Sequence, residues 1–215
     1  ALDYAAQNGV TVVCASGNDS SRKNVSYPAI YPTTIAVGAT DLRDRVTRYS
    51  NKGEGLDIVA PGGDTSKDLD RDGYVDGILQ ETRINGAWNY YFFQGTSMAA
   101  PHVAAVAAML QATNPLMTPT EIYDALTGTA KDLGESGYDS NYGYGLLQAF
   151  NALTGDQGGG TDPGGTGTDA DADGWSVENG DCDDSDSHVY PGHQDQKGKW
   201  GKNGVDNDCN GIIDG

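Results

Sequence analysis

The chain has 215 residues and is strongly acidic, with 31 aspartates and glutamates against 13 lysines and arginines and a formal net charge of −18. This charge argues against nucleic acid as a partner, because phosphates would repel it, whereas acidic surfaces attract cations. No apolar run approaches the roughly 18 residues of a membrane-spanning helix, and the length allows one large domain or two smaller ones.

The first elements predicted along the chain are a short helix and a buried strand. Residues 1–8 have the spacing of an amphipathic helix, and Asn8-Gly9 is a typical C-terminal cap. The apolar residues 10–15 predict a strand of a parallel sheet, which the polar run Ser16-Gly17-Asn18 follows. Loops after such strands often carry functional side chains, so Asn18 is a candidate, although Gly-Asn alone is typical of a turn.

Two further loop and strand segments are predicted at residues 27–39 and 49–63, and an acidic loop follows them. This loop has carboxylates at its positions 1, 3, 5 and 9, with Gly73 at position 6; they are Asp68, Asp70, Asp72 and Asp76. Alternating oxygen ligands with a glycine for the sharp turn are typical of calcium loops. A solvated charged loop is the alternative interpretation.

A glycine turn meets a predicted helix at residues 94–110. Ser97 falls in the first helical turn, where unpaired backbone N–H groups can stabilise an oxyanion, so Ser97 is a candidate nucleophile. Thr96 and Ser97 could equally be N-caps of a buried helix. A cap alone would not require Pro101, which removes the hydrogen bond to the Ser97 carbonyl. Further along, Thr118-Pro119-Thr120-Glu121 predicts a capping box at the start of another helix.

The run Gly95-Thr96-Ser97-Met98-Ala99-Ala100-Pro101-His102-Val103 closely resembles the nucleophile motif of the subtilisin-like serine proteases. The segments around Asn18, at 27–39, at 49–63 and at 143–149 resemble the same family, so the resemblance covers about residues 1–154. It implies an α/β fold, namely the C-terminal portion of a three-layer αβα domain with a parallel sheet. It also implies hydrolysis of protein or peptide substrates.

The resemblance assigns roles to particular residues. Ser97 is the nucleophile, and the side-chain amide of Asn18 joins the Ser97 N–H in the oxyanion hole. The residues that resemble substrate-pocket walls are Ala15, Ser16 and Gly17.

A serine hydroxyl needs a general base, and the base needs an acid to orient it. The single histidine before the linker, His102, lies five residues after Ser97 and about 140° round the same helix, so it cannot reach the hydroxyl. In this family the aspartate and histidine precede the serine, and neither of their motifs occurs here. We therefore expect a C-terminal fragment of a secreted, extracellular, monomeric protease that is inactive alone. The alternative is a catalytically inactive extracellular calcium-binding protein.

Residues 155–168 are glycine-rich, lack aliphatic and aromatic side chains, and predict a flexible linker. The expected organisation is thus a protease-like portion at 1–154, this linker, and a small loop-rich metal-binding module at 169–215. Residues 155–215 contain 14 acidic and 3 basic residues, so the excess of negative charge is concentrated there.

Two acidic clusters in the tail predict oxygen ligands for calcium. Their residues are Asp169, Asp171 and Asp173, and then Asp206, Asp208, Asn210 and Asp214. Gly180 occupies the position where an EF-hand loop has its bidentate glutamate, so that ligand must come from Glu178, Asp181, Asp183 or Asp184. Carboxylates favour calcium, while His188 and His193 leave copper open, and an acidic disordered tail is a third interpretation.

The segments around the two tail cysteines resemble a short extracellular metal-binding repeat, some members of which are linked to copper. Cys182 and Cys209 are 27 positions apart in a tail too small for a core, so we pair them as a disulfide. This pairing indicates an oxidising, extracytoplasmic setting. Cys14 lies in the predicted buried strand and is expected to be an inert free thiol.

Overall fold

Three short apolar runs form a parallel sheet. In the computed structural model, which describes residues 1–155 and Cys182, the strands are β1 (Val12–Ala15), β2 (Thr34–Thr40) and β3 (Ile58–Pro61). They pair in the order β1-β2-β3, and both pairs are parallel. All seven residues of β2 are buried, because β1 and β3 cover its edges and helices pack against the sheet. The predicted parallel α/β arrangement is therefore present.

Four helices accompany the sheet in the described part of the chain. They are α1 (Leu2–Gln7), α2 (Thr96–Thr113), α3 (Pro119–Gly128) and α4 (Ala149–Thr154). The central helix α2 packs against all three strands, and its buried apolar side chains join those of β2, β3 and α3 in one core. Within residues 1–155, no helix is both long and apolar enough to cross a membrane.

The predicted helix signals are borne out locally. The first helix has Asn8 as its C-cap, and the following Gly9 has a φ of 77°, which favours glycine. The capping box at α3 is complete, because the Thr118 side chain accepts from the Glu121 N–H and the Glu121 carboxylate accepts from the Thr118 N–H. The hydrogen bonds that the Glu121 carboxylate accepts from the Thr118 N–H and hydroxyl lower its pKa.

Burial of β1 differs from the sequence prediction. The strand begins at Val12 rather than at residue 10, and each of its residues is only half-buried. Within the described residues, β1 pairs along one edge with β2, and no strand pairs with its other edge. An open pocket beside it is lined by Val13, Ala104 and Ala108, so apolar surface of β1 and α2 faces outwards there. Cys14 on this strand is an unpaired thiol, and burial raises its pKa.

An antiparallel hairpin lies between β3 and α2. Its strands are β4 (Ile78–Ile84) and β5 (Ala87–Phe93), and they are joined by Asn85-Gly86 with φ of 51° and 87°. Positive φ at both turn residues is the geometry for which Asn-Gly is preferred in tight hairpins. One face of the hairpin leaves Leu79, Trp88 and Tyr90 exposed. The last strand leads directly into the segment that carries Ser97.

A half-buried carboxylate joins α3 to the amino end of β3. Asp57 accepts hydrogen bonds from the Ala36 N–H at 2.7 Å and from the Tyr123 hydroxyl at 3.0 Å. Burial raises the pKa of Asp57 despite these two bonds, and the same surroundings raise the pKa of Tyr123. The charged form of Asp57 is therefore disfavoured in the folded protein.

We expect Asp57→Asn to stabilise the chain at neutral pH relative to the wild type. Because the folded pKa of Asp57 is raised, its contribution to stability is fully present below the unfolded value of 3.8 and is lost as pH rises through the folded pKa. An asparagine can accept from Ala36 and donate to Tyr123 without titrating. Urea unfolding of both proteins between pH 3 and 8 measures the effect. A stability difference that does not grow with pH would contradict it.

Candidate active site

The nucleophile candidate lies where a glycine turn begins α2. Gly95 is the N-cap residue and has a φ of 144°, a conformation that side chains rarely adopt. Ser97 is the second residue of the helix and is exposed. No acceptor among residues 1–155 takes the Ser97 N–H, as expected for the first turn of a helix. Both the hydroxyl and the N–H of Ser97 are thus available to a ligand.

Asn18 lies after β1 and reaches the same helix terminus. Its Oδ1 accepts from the Thr96 N–H at 2.9 Å and from the Thr96 hydroxyl at 3.0 Å. Because a backbone N–H can only donate, this contact fixes which side of the amide is oxygen. The Nδ2 group is left without a partner among the described residues, on an exposed side chain. Asn18 can therefore donate to a ligand from beside the Ser97 turn.

Thr96 links the two candidates, a role that its place in the sequence does not predict. Its hydroxyl donates to Asn18 and lies 3.3 Å from the Gly17 N–H, which it can accept. The side chain itself is fully buried. A threonine before a helical serine looks like an ordinary cap in sequence, so only the folded contacts reveal this link.

The three predicted pocket-wall residues do not contribute equally. Ser16 is fully buried, and its hydroxyl donates to the Asn51 carbonyl at 2.9 Å, so its side chain faces the interior. Ala15 and Gly17 are half-buried. Gly17 uses both its N–H and its carbonyl in bonds within the protein, to Thr96 and Asn51. Any surface that this segment offers to a substrate is therefore provided by Ala15 and Gly17.

His102 does not act on Ser97. Its Nδ1 lies 2.8 Å from the Met98 carbonyl oxygen one turn earlier in α2, so this nitrogen carries a proton and donates. It is the single histidine in residues 1–155. The described residues thus contain a candidate nucleophile and candidate oxyanion donors, but no imidazole that reaches Ser97.

The acidic loop brings three of its four carboxylates together. Oxygens of Asp68, Asp70 and Asp76 lie within 4.8 Å of one another. Asp72 is not in this group, and its carboxylate accepts from the Tyr74 N–H at 2.8 Å. The tail residues predicted as ligands lie outside the described residues, as does Cys209, so those predictions and the disulfide remain untested.

Lys67 anchors this loop at the carboxyl end of the sheet. Its ammonium group lies 2.8 Å from Asp41, which follows β2, and 2.9 Å from Asp64, which follows β3. Burial alone would raise the pKa of Asp41 and of Asp64, but their hydrogen bonds, including those from Lys67, lower both below the usual range. Both aspartates are therefore charged partners of Lys67. Since Lys67 is paired with them, Arg71 is the cation within the acidic loop at residues 68–76.

A model of the Subtilase family (peptidase S8) matches residues 1–145. The chain belongs to the subtilase family. Alkaline elastase YaB from Bacillus sp. (strain YaB) is 40% identical over 149 residues, which cover 69% of this chain and 34% of that protein. Fervidolysin from Fervidobacterium pennivorans is 38% identical over 161 residues, which cover 72% of this chain and 23% of that protein. Subtilisin from Bacillus pumilus is 38% identical over 149 residues, which cover 68% of this chain and 47% of that protein. This subtilase chain spans less than half the length of these relatives.

Solved structures agree with the subtilase assignment. A lanthipeptide protease matches with a TM-score of 0.62 and 27% identity over 71% of this chain and 53% of that chain. A protease from Pseudoalteromonas arctica matches with a TM-score of 0.62 and 32% identity, over 72% of this chain and 45% of that chain. The subtilisin-like fold expected from the sequence is thereby confirmed for the part that matches.

The contacts of Thr96 predict a stability effect that Ser97 does not share. We expect Thr96→Val to lower the free energy of unfolding by about 1 to 2 kcal/mol, because it removes two hydrogen bonds at a buried site without changing the shape much. Ser97→Ala should change stability little, since the Ser97 hydroxyl is exposed and makes no bond within residues 1–155. Urea denaturation of the two variants and the wild type compares them. Equal losses would contradict the proposed link.

Proposed function

We propose that this chain is part of a secreted serine endopeptidase in which Ser97 attacks the carbonyl carbon of a peptide bond. The observation that carries the proposal is the pairing of an exposed Ser97 in the first turn of α2 with Asn18, whose Nδ2 is left free because Thr96 binds its Oδ1. As the Ser97 oxygen forms a bond to carbon, the carbonyl oxygen becomes negative. It accepts hydrogen bonds from the Ser97 N–H and from Asn18 Nδ2.

The proton of Ser97 must pass to a general base that residues 1–155 do not supply to it. In the proposed enzyme the base is a histidine, oriented by an aspartate, and both are contributed by sequence outside this chain. Two observations support this: β1 has an edge that no described strand pairs with, and the relatives are more than twice as long as the matched region. The chain by itself would then bind peptides weakly and not hydrolyse them.

The proposed substrates are proteins or peptides without further distinction. The related proteins carry names as different as elastase and lanthipeptide protease. The family resemblance therefore supports peptide-bond hydrolysis, but it does not favour a particular substrate sequence. The proposed location is extracellular, as a monomer. Nucleic acid is an unfavourable partner for a chain of net charge −18.

Calcium is the proposed stabilising ion, with Asp68, Asp70 and Asp76 as its protein ligands. Carboxylate oxygens are hard ligands, as calcium prefers, and those of these three residues lie close enough to share one ion. The left-handed conformations of Arg71 and Gly73 turn the loop so that the carboxylates on either side approach each other. An ion there would offset their mutual repulsion and hold the loop near the sheet.

Replacing the nucleophile tests the reaction. In the protein encoded by the complete reading frame, Ser97→Ala should lower kcat for a peptide substrate by several orders of magnitude, because no hydroxyl remains to form the acyl intermediate. Ser136→Ala is the matched control, since Ser136 is also exposed but lies outside the site. Activity retained in Ser97→Ala would overturn the assignment. An inactive wild type that still binds calcium would favour the catalytically inactive calcium-binding alternative.

Removing calcium should lower the melting temperature of the chain by a few degrees, since an ion that binds only the folded state stabilises it. Asp70→Asn should reduce this difference between calcium and chelator, because it removes one ligand from the loop. Asp124→Asn removes an exposed acid from α3 and should leave the difference unchanged. Thermal unfolding of all three proteins gives the comparison. An equal chelator effect in Asp70→Asn and the wild type would remove this loop from the proposal.

A further inference from the structure

We propose that Tyr49 and Asn51 are positioning residues that set the geometry of the oxyanion hole. They lie two residues apart on the segment between β2 and β3. Asn51 contacts the loop that carries Asn18, and Tyr49 contacts the glycine before Thr96 and Ser97. The inference rests on the proposed function, because it concerns the same site, and it adds two residues that do not touch the substrate themselves.

Asn51 holds the chain on both sides of Asn18. Its side chain is almost fully buried, with a relative exposure of 1%. Its Oδ1 accepts from the N–H groups of Asp19 and Ser21, both at 2.9 Å. Its backbone N–H donates to the Gly17 carbonyl at 2.8 Å. The peptide groups immediately before and after Asn18 are therefore both bonded to one rigid residue.

The site requires an amide at position 51. Its Nδ2 donates to the Ser26 hydroxyl at 2.9 Å, so the side chain uses acceptor and donor at once. The amide also packs directly against Gly17, where an added Cβ would lie only 2.3 Å from Nδ2. An apolar side chain of similar size would leave two N–H groups of the loop without their acceptor, which is costly in a buried place.

Tyr49 holds the other side of the oxyanion hole. Its hydroxyl accepts from the Gly95 N–H at 3.0 Å. The same hydroxyl can donate its proton to either of two backbone carbonyl oxygens. These are the Gly63 oxygen at 2.6 Å and the Gly62 oxygen at 2.9 Å. The turn after β3 is thereby connected to the residue that begins the nucleophile helix. Burial raises the pKa of Tyr49, so its proton stays available for this bond.

Close packing makes the position of Gly95 sensitive to these bonds. A Cβ at Gly62 would lie 2.9 Å from the Gly95 carbonyl oxygen and 3.1 Å from the Tyr49 hydroxyl oxygen, so the three groups are in contact. A shift of Gly95 would move Thr96, and Thr96 binds Asn18. Since an oxyanion hole depends on donor positions, a small displacement reduces the rate of the chemical step more than substrate binding.

Tyr49→Phe tests the inference because it removes one oxygen and keeps the ring. In the isotopically labelled chain alone, we expect the Gly95 amide to exchange with solvent about tenfold faster than in the wild type, since it loses one of its two acceptors. In the protein from the complete reading frame, kcat should fall about tenfold while KM stays within about twofold. Asn51→Leu should reduce kcat further, but it can also prevent folding, so Tyr49→Phe decides.

Tyr123→Phe is the matched control, because it removes a phenol hydrogen bond at the opposite end of β3, to Asp57. It should alter stability but neither Gly95 exchange nor kcat. Equal losses of kcat in the two variants would indicate a merely structural role and overturn the inference, as would unchanged Gly95 exchange in Tyr49→Phe. A wild type without activity would contradict the proposed function instead, and Gly95 exchange would still decide whether Tyr49 holds this turn.

Discussion

The hydrogen bond between Asn18 Oδ1 and the Thr96 N–H is the interaction on which the site depends. The N-cap residue of α2 is Gly95, which has no side chain with which to cap the helix. Asn18 supplies the missing acceptor from the end of β1, 78 residues earlier in the chain. One side chain therefore caps the helix and presents a free amide N–H beside Ser97, since accepting through Oδ1 leaves Nδ2 to donate.

The carboxylates at the two ends of the sheet are held in different ways. At the carboxyl ends of the strands, glycines allow close approach of the backbone, and charged groups are compensated by Lys67. At the amino end of β3, the half-buried Asp57 accepts from the Tyr123 hydroxyl and forms no ion pair with a cation of residues 1–155. The buried carboxylates Asp41 and Asp64 at the carboxyl end are thus paired with a cation, whereas the charged form of Asp57 at the other end is disfavoured.

Local signals in the sequence were sufficient to place Ser97 in the first turn of α2, Asn18 after β1 and the capping box at Thr118, because each position depends on a motif of a few neighbouring residues. The burial of β1 could not be predicted from its apolar run, since burial depends on what lies beside its open edge. Asn85-Gly86, which lies between two runs rich in aromatic and aliphatic residues, is a sequence signal for a tight hairpin, so the β4–β5 hairpin is predictable from local sequence. Tyr49 and Asn51 gave no signal, because their partners are up to 46 residues distant.

The hairpin has a consequence for how the protein behaves in concentrated solution. Its exposed Trp88 and Tyr90 lie on a two-stranded sheet whose outer edges have no strand partner within residues 1–155. Such edges and apolar faces favour pairing between molecules. At neutral pH the net charge of −18 keeps copies apart, but the isoelectric point is near 4.1. Acidification towards that value removes the repulsion, so colloidal stability is governed by charge that lies largely outside the hairpin.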